Sequence, residues 1–186
     1  MKKLLLVLVL LLAAAQIAIA SEPAEDGFIV ADFADAEALT IFDYHHAEDE
    51  AKVSVVSQGL YGENALSFTF RVDRQQAAFG IRPAAEQVWD GSDYSYISVW
   101  IKGDGSTWGY RFEPTDFGGE RFEILGEISH EGWQQVKLPI SNLDSRTWQP
   151  GDATVNHQLA WPLRDIRFVV TSGSGTILVD LFEFLP

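Results

Sequence analysis

The chain predicts an all-β fold, an antiparallel β-sandwich, and three observations predict it. Short runs of alternating apolar and polar residues succeed one another along most of its 186 residues. Gly, Asp, Asn, Ser and Pro bound those runs, and helical periodicity is nearly absent. The chain has no cysteine, so neither disulfides nor thiolate metal sites staple it, and a packed core must hold it together.

At the N-terminus, Lys2 and Lys3 precede an apolar run over 4–15, and Ala18, Ile19 and Ala20 match a small-residue cleavage site. Residues 1–20 therefore read as a signal peptide, and the mature protein is expected to be secreted or periplasmic. The run is shorter than the ~20 apolar residues that span a bilayer, so no membrane contact is expected after cleavage. Residues 21–27 are small and acidic and read as a flexible leader. Residues 28–186 suffice for one domain with a full core. The formal net charge of −14, deeper once Lys2 and Lys3 are removed, repels phosphate backbones and argues against nucleic acid or anionic lipid as partner.

Within the domain the alternation predicts about ten strands, over 28–33, 52–57, 65–72, 78–82, 96–102, 109–113, 121–125, 134–139, 166–171 and 176–184. Side chains two apart share a face. Leu66, Phe68, Phe70 and Val72 thus form one core stripe; Ile97, Val99 and Ile101 form another, as do Ile166, Phe168 and Val170, then Ile177, Val179 and Leu181. Two long connections remain, over 34–51 and 142–165, and loops of that length are uncommon unless functional.

The hairpin over 109–125 concentrates charge on one face. Tyr110, Phe112, Phe122 and Ile124 mark its apolar side, whereas Arg111, Glu113, Arg121, Glu123 and Leu125 mark the other. A register placing Arg111 opposite Glu123 also places Glu113 opposite Arg121, a ladder of alternating charge. Such a ladder is either a set of solvated ion pairs or the floor of a polar groove. Trp148 stands in a polar loop with no apolar neighbour in sequence, which suggests an exposed platform. Asp144 and Arg146 flank it, Arg82 shares the outward parity of Gly80, and Tyr61 and Tyr44 are weaker platforms. Trp89, Trp100, Trp133 and Trp161 are assigned to packing. His45 and His46 precede Glu48, Asp49 and Glu50, but adjacent histidines point opposite ways on an extended chain, so this stretch reads as a solvated acidic loop.

Further landmarks follow in order: Asp32-Phe33; KVSVVSQGLYGENALSFTF over 52–70; WDGSDYSYISVWIKGDGS over 89–106; YRFEPTD over 110–116; GWQQVKLPISNL over 132–143; WQPGD over 148–152; and IRFVVTSGSGTILVDLFEF over 166–184. Together they resemble jelly-roll carbohydrate-binding modules of the galactose-binding-like class, and family 11 modules most closely. The resemblance implies a noncatalytic module that binds a β-glucan-like polysaccharide in a concave cleft. A sugar offers apolar C–H patches and a rim of hydroxyls, so its site needs a flat aromatic and fixed polar groups. Trp148 would stack, while Arg111, Glu113, Arg121, Glu123, Arg146, Asp144, Arg82 and Tyr61 would contact ligand. Arg111 falls where the resemblance places a ligand-binding arginine; the family aromatic on the following strand is replaced by Ile124 or Leu125. The resemblance also implies a structural calcium held by Asp32, Asn64 and Asp180, although the Glu expected after Phe33 is Ala34.

Two other functions stay open at this point. The chain is also similar to complex I intermediate-associated protein 30-like domains, which implies a protein-interaction or assembly module with a protein partner. Glu113 and Glu123 could instead be the paired carboxylates of a small glycoside hydrolase or lyase, against which the neighbouring arginines argue, because they would depress a general acid. No nucleophile motif, phosphate loop or dinucleotide fingerprint is present.

Overall fold

The computed structural model describes residues 23, 25–34, 39–45, 48–84 and 87–186. The expected signal peptide, part of the leader and His46 lie outside the described residues. Two antiparallel sheets face each other. One runs β3 (Glu50–Val56), β4 (Ala65–Val72), β12 (Gly173–Leu185), β6 (Tyr96–Asp104), β9 (Glu131–Pro139), with β1 (Phe28–Ala31) paired to the later half of β12. The other runs β10 (Asp144–Ser145), β8 (Phe122–Ile128), β7 (Trp108–Thr115), β11 (Asp165–Val170), β5 (Ala77–Pro83), β2 (Leu39–His45).

The stripes predicted from alternation fill the space between the sheets. Leu66, Phe68, Ile97, Val99, Ile101, Ile166, Phe168, Val170, Ile177 and Val179 are all buried in one cluster. Aromatic contacts bridge the layers, with Phe68 meeting Phe79 at 5.1 Å and Phe70 meeting Trp108 at 5.3 Å. Each fully buried side chain of this kind is worth roughly 1.5–3 kcal/mol. Trp89 is buried as expected, while Trp161 packs edge-on against Phe184 at 5.5 Å.

Three expectations are corrected. β2 and β10 occupy stretches expected to be connections. In β2, Asp43 and His45 interrupt the apolar pattern, but the strand pairs along its whole length with β5, from Leu39 opposite Pro83 to His45 opposite Ala77. In β12 the alternation changes phase at a bulge between Asp180 and Glu183, where Leu181 takes φ 44°. Leu181 stays buried, but Phe182 and Phe184 carry the core cluster onward from Val179. Asp49, read as solvated, is buried at the head of the turn before β5. Its carboxylate accepts the amides of Asp73, Arg74, Gln75 and Gln76 at 2.8–3.0 Å.

Phe168 is the centre of the aromatic cluster, stacked on Tyr110 at 5.0 Å and on Phe79 at 5.7 Å, with the Trp108 edge at 6.2 Å. Phe168→Ala is expected to lower unfolding stability by about 3–5 kcal/mol, read from the shift in urea midpoint at unchanged slope.

Candidate functional site

Burying Ile166, Phe168 and Val170 turns Asp165, Arg167 and Val169 to the outer face of the second sheet. Register fixes their neighbours: Arg167 lies between Gly80 and Glu113, and Val169 between Ala78 and Arg111. The small residues of β5 lower the surface there. The Phe42 ring rests directly on Gly80, where an added Cβ would come within 2.2 Å of it. The outcome is a cleft of about 570 Å³ crossing the sheet. Phe42 and Tyr44 of β2 wall one side, Arg121, Arg146 and Trp148 wall the other, and Glu113, Arg167 and Val169 lie between. Trp148 is 59% exposed and Tyr44 48%.

The charged groups form a network whose register differs from the expected ladder. Arg111 stands opposite Leu125, and Thr115 opposite Arg121, two residues away from the expected pairing. The reason is the hairpin turn over 116–120. The Asp116 amide donates to the Glu120 carbonyl at 2.9 Å and the buried Asp116 carboxylate accepts the Glu120 amide at 2.8 Å, closing a turn two residues shorter than the expected register implied. Arg111 and Arg146 each reach both glutamates: Arg111 is ion-paired with Glu113 and lies 3.5 Å from Glu123, and Arg146 lies 2.8 Å from Glu113 and 3.0 Å from Glu123. Arg111 also donates to Gln76 at 2.6 Å. Asp49 fixes Gln76 from behind. Burial works against its ionisation, yet four amide donors prevail and lower its pKa to about 2. Asp165, buried beside the floor, lies 3.0 Å from Arg167 and 3.7 Å from Arg82.

Trp148 and Arg146 belong to a loop that side chains tie to the hairpin. Gln149 imitates a strand partner: its side-chain oxygen accepts the Arg121 amide at 2.8 Å and its nitrogen donates to the Arg121 carbonyl at 2.8 Å. The Arg146 amide donates to that same carbonyl at 2.9 Å. Below, Glu120 is fully buried and accepts from the Ser145 hydroxyl and from the amides of Asn156 and His157. Burial alone would raise the Glu120 pKa, but these hydrogen bonds and the nearby His157 ring outweigh it and leave it lowered. The Arg121 guanidinium lies 4.9 Å from the Trp148 ring, a cation–π contact.

Of the residues singled out from sequence, Glu113, Arg121, Arg146 and Trp148 line the cleft, and Tyr44 joins them. Arg111 and Glu123 support it through ion pairs. Arg82 lies beyond Phe42, 4.7 Å from that ring, and exposed Asp144 pairs with Glu123 at the sheet edge. Tyr61 is on the other sheet, packed edge-on to Trp100 at 5.6 Å, and is not a wall of the cleft. Phe42, Gln76 and Arg167 were not foreseen. The parity of 166–170 already turned Arg167 outward, but Phe42 needed β2 to be recognised as a strand.

The expected calcium ligands also have definite places. Asp180 is buried; its carboxylate accepts the Leu60 and Tyr61 amides at 2.7 and 3.0 Å and the Leu181 amide at 2.8 Å. The turn before Asn64 thus meets Asp180 with N–H donors rather than with oxygen ligands. Asp32 accepts the Ala34 amide at 3.1 Å. Burial raises the Asp180 pKa, those amides oppose the rise, and the Asp32 charge adds to it. Among the described residues no group of three or more His, Cys, Asp or Glu side chains could hold a metal.

A family model described as "Carbohydrate binding domain (family 11)" matches residues 19–185. Among solved structures, the chain is similar to the family 11 carbohydrate-binding module from Clostridium thermocellum in complex with a β-1,3-1,4-mixed-linked tetrasaccharide, with a TM-score of 0.66 and 18% identity over 86% of this chain and 95% of that one. It is also similar to the family 11 module of a cellulosomal cellulase of Clostridium thermocellum, with a TM-score of 0.65 and 17% identity over 88% of this chain and 96% of that one. No curated protein matches.

Glu120 makes the loop acid-sensitive in a defined direction. Because its folded pKa is lowered, its contribution is fully present above the ordinary value of 4.5 and is lost as pH falls through the folded value. Glu120→Gln is expected to cost about 1–3 kcal/mol at neutral pH, since buried amides lose acceptors. In urea unfolding the gap between wild type and variant should narrow below pH 4.5.

Proposed function

Because the chain belongs to the family 11 carbohydrate-binding domains, we propose that the cleft across its second sheet binds a polysaccharide of the β-glucan type without transforming it. The observation that carries this reading is the cleft itself: an indole exposed at its rim above polar groups that strands and ion pairs hold in place. Trp148 stacks on a pyranose face, with Tyr44 offering a second ring from the opposite wall. Arg146 and Glu113 present a donor and an acceptor whose positions are set before ligand arrives, which limits the ordering cost of binding. Arg111 and Glu123 act as positioning residues that keep Glu113 and Arg146 in register. Asp144, at the sheet edge, reaches only a chain that overhangs the cleft.

Catalysis does not suit these carboxylates. Glu113 and Glu123 each accept from two guanidiniums, a scaffold role rather than that of an acid that must give up a proton. The relative in complex with a mixed-linked tetrasaccharide supports the ligand class. Export through the N-terminal 1–20 segment, to the periplasm or beyond, belongs to the same proposal and places the module where polysaccharides are met. A structural calcium ion that Asp32, Asn64 and Asp180 would hold is a further part of it, supported by the like charge of the two carboxylates, which favours a cation near them.

Affinity electrophoresis in gels containing polysaccharide tests the central reading. Wild type should be retarded saturably, Trp148→Ala should lose about 1–3 kcal/mol of binding, and no reducing ends should accumulate. Retardation unchanged by Trp148→Ala would refute the assigned platform, and soluble sugar released by wild type but not by Glu113→Gln would turn the reading to an enzyme. For calcium, thermal unfolding in chelator and then in excess ion is decisive: a bound ion should stabilise by about 2.7 kcal/mol at 100-fold over its Kd, and unchanged melting leaves the amides as the partners of Asp180.

A further inference from the structure

The cleft holds more positive charge than its own carboxylates match. Five of the eight arginines of this acidic chain, Arg82, Arg111, Arg121, Arg146 and Arg167, lie in or beside it. The carboxylates among them are Glu113, Glu123 and Asp165, and each is already taken by two arginines: Arg111 and Arg146 hold both glutamates, and Arg82 and Arg167 hold the aspartate. Asp43, at the opposite rim, is engaged with the Val53 amide. Arg121 is left over. Among the described residues no carboxylate lies within ion-pair distance of its guanidinium, its Nε is buried without an acceptor, and its one close partner is the face of Trp148. The Arg167 Nε also lacks an aligned acceptor, although Asp165 is near.

A half-buried guanidinium that faces a cleft and lacks a counter-anion is out of balance, because burial removes hydration that nothing in the protein replaces. The direction of its titration agrees. Burial lowers the Arg121 pKa, Arg167 and Arg146 repel it further, and Glu113 and Asp165 offset this only in part. Arginine forks match planar or tetrahedral oxyanions through paired hydrogen bonds, and Trp148 holds this one in place by stacking.

Resting on the polysaccharide-binding reading of this cleft, we infer that among glucan-like polymers it prefers acidic ones to a neutral β-glucan, their carboxylate or sulfate oxygens pairing with Arg121 while Trp148 stacks on the sugar that bears them. Arg167, at the floor beneath, is a further cation within the same lining and adds to the attraction. The strong negative charge of the whole chain gives this local site its selectivity: polyanions are repelled elsewhere on the surface, so only a chain that reaches the cleft gains.

The experiment compares three polymers in affinity electrophoresis and isothermal titration: neutral mixed-linked β-glucan, a mannuronate-rich alginate as the uronate source, and a carrageenan as the sulfate source. Wild type, Arg121→Gln and Arg167→Gln are measured at low and at moderate salt, with melting curves to establish that each variant is folded. The inference expects tighter binding to one anionic polymer than to the neutral one, weakening with salt, and a roughly ten- to hundredfold loss on that polymer alone for Arg121→Gln. Which anionic polymer responds tells carboxylate from sulfate. Binding of the neutral glucan as tight as that of either anionic polymer, or a loss on Arg121→Gln that is equal for all, overturns the inference and leaves the carbohydrate reading standing. Absence of binding to all three overturns both. Should Arg121→Gln fail to fold, Arg167→Gln carries the same comparison, with a salt-dependent loss confined to the anionic polymer expected and an unchanged affinity overturning it.

Discussion

Phe168 and the alternation around it set what the rest of the molecule can do. Without disulfides, stability must come from the aromatic layer between the sheets, and Phe168 sits in the middle of that layer with rings on both sides. A strand that commits 166, 168 and 170 inward has no choice about 165, 167 and 169. Arg167 and Val169 line the cleft floor and Asp165 lies buried beside Arg167, so the same packing that folds the protein also sets the centre of the site. Core and site are two faces of one constraint, and this explains why the site is built on strands, with one anchored loop, rather than on free loops.

The loop that supplies Trp148 illustrates a second economy. A long surface segment is costly to order, and here three polar side chains do the ordering: Asp116 shapes the turn, Glu120 gathers the amides of 156 and 157, and Gln149 copies the pairing of a missing strand residue. Each is buried or half-buried, and each accepts from backbone donors that would otherwise be unsatisfied. Aromatic presentation at the rim is therefore secured by hydrogen bonding beneath it. Asp49 does the equivalent work across the cleft, holding the turn that ends in Gln76.

Much of this was legible beforehand, and the failures share a cause. Strand faces were read correctly wherever alternation was clean, as in 65–72, 96–102 and 166–170, because burial of one face imposes a period of two. Trp148 stood out because a tryptophan in polar company needs a reason to be there. The pattern became unreadable where a polar side chain serves the backbone instead of the solvent. Asp43 concealed β2, Asp116 and Glu120 closed a hairpin turn two residues shorter than alternation implied, and the Leu181 bulge reversed the face of β12. Buried carboxylates look like exposed ones in a sequence, since only three-dimensional proximity reveals which amides they serve. Phe42 and Arg167 were lost for related reasons, one with its strand and the other because charge in a strand is usually mere solvation.

The pairing of β1 with β12, Phe28 opposite Phe184, brings the first and last strands side by side on the sheet remote from the cleft. Phe28 and Leu185 thus both lie on the sheet that does not carry the cleft. It also means that a short linker across that seam could close the backbone into a ring and allow it to be opened at a hairpin instead, a circular permutation that leaves every strand neighbour as it was.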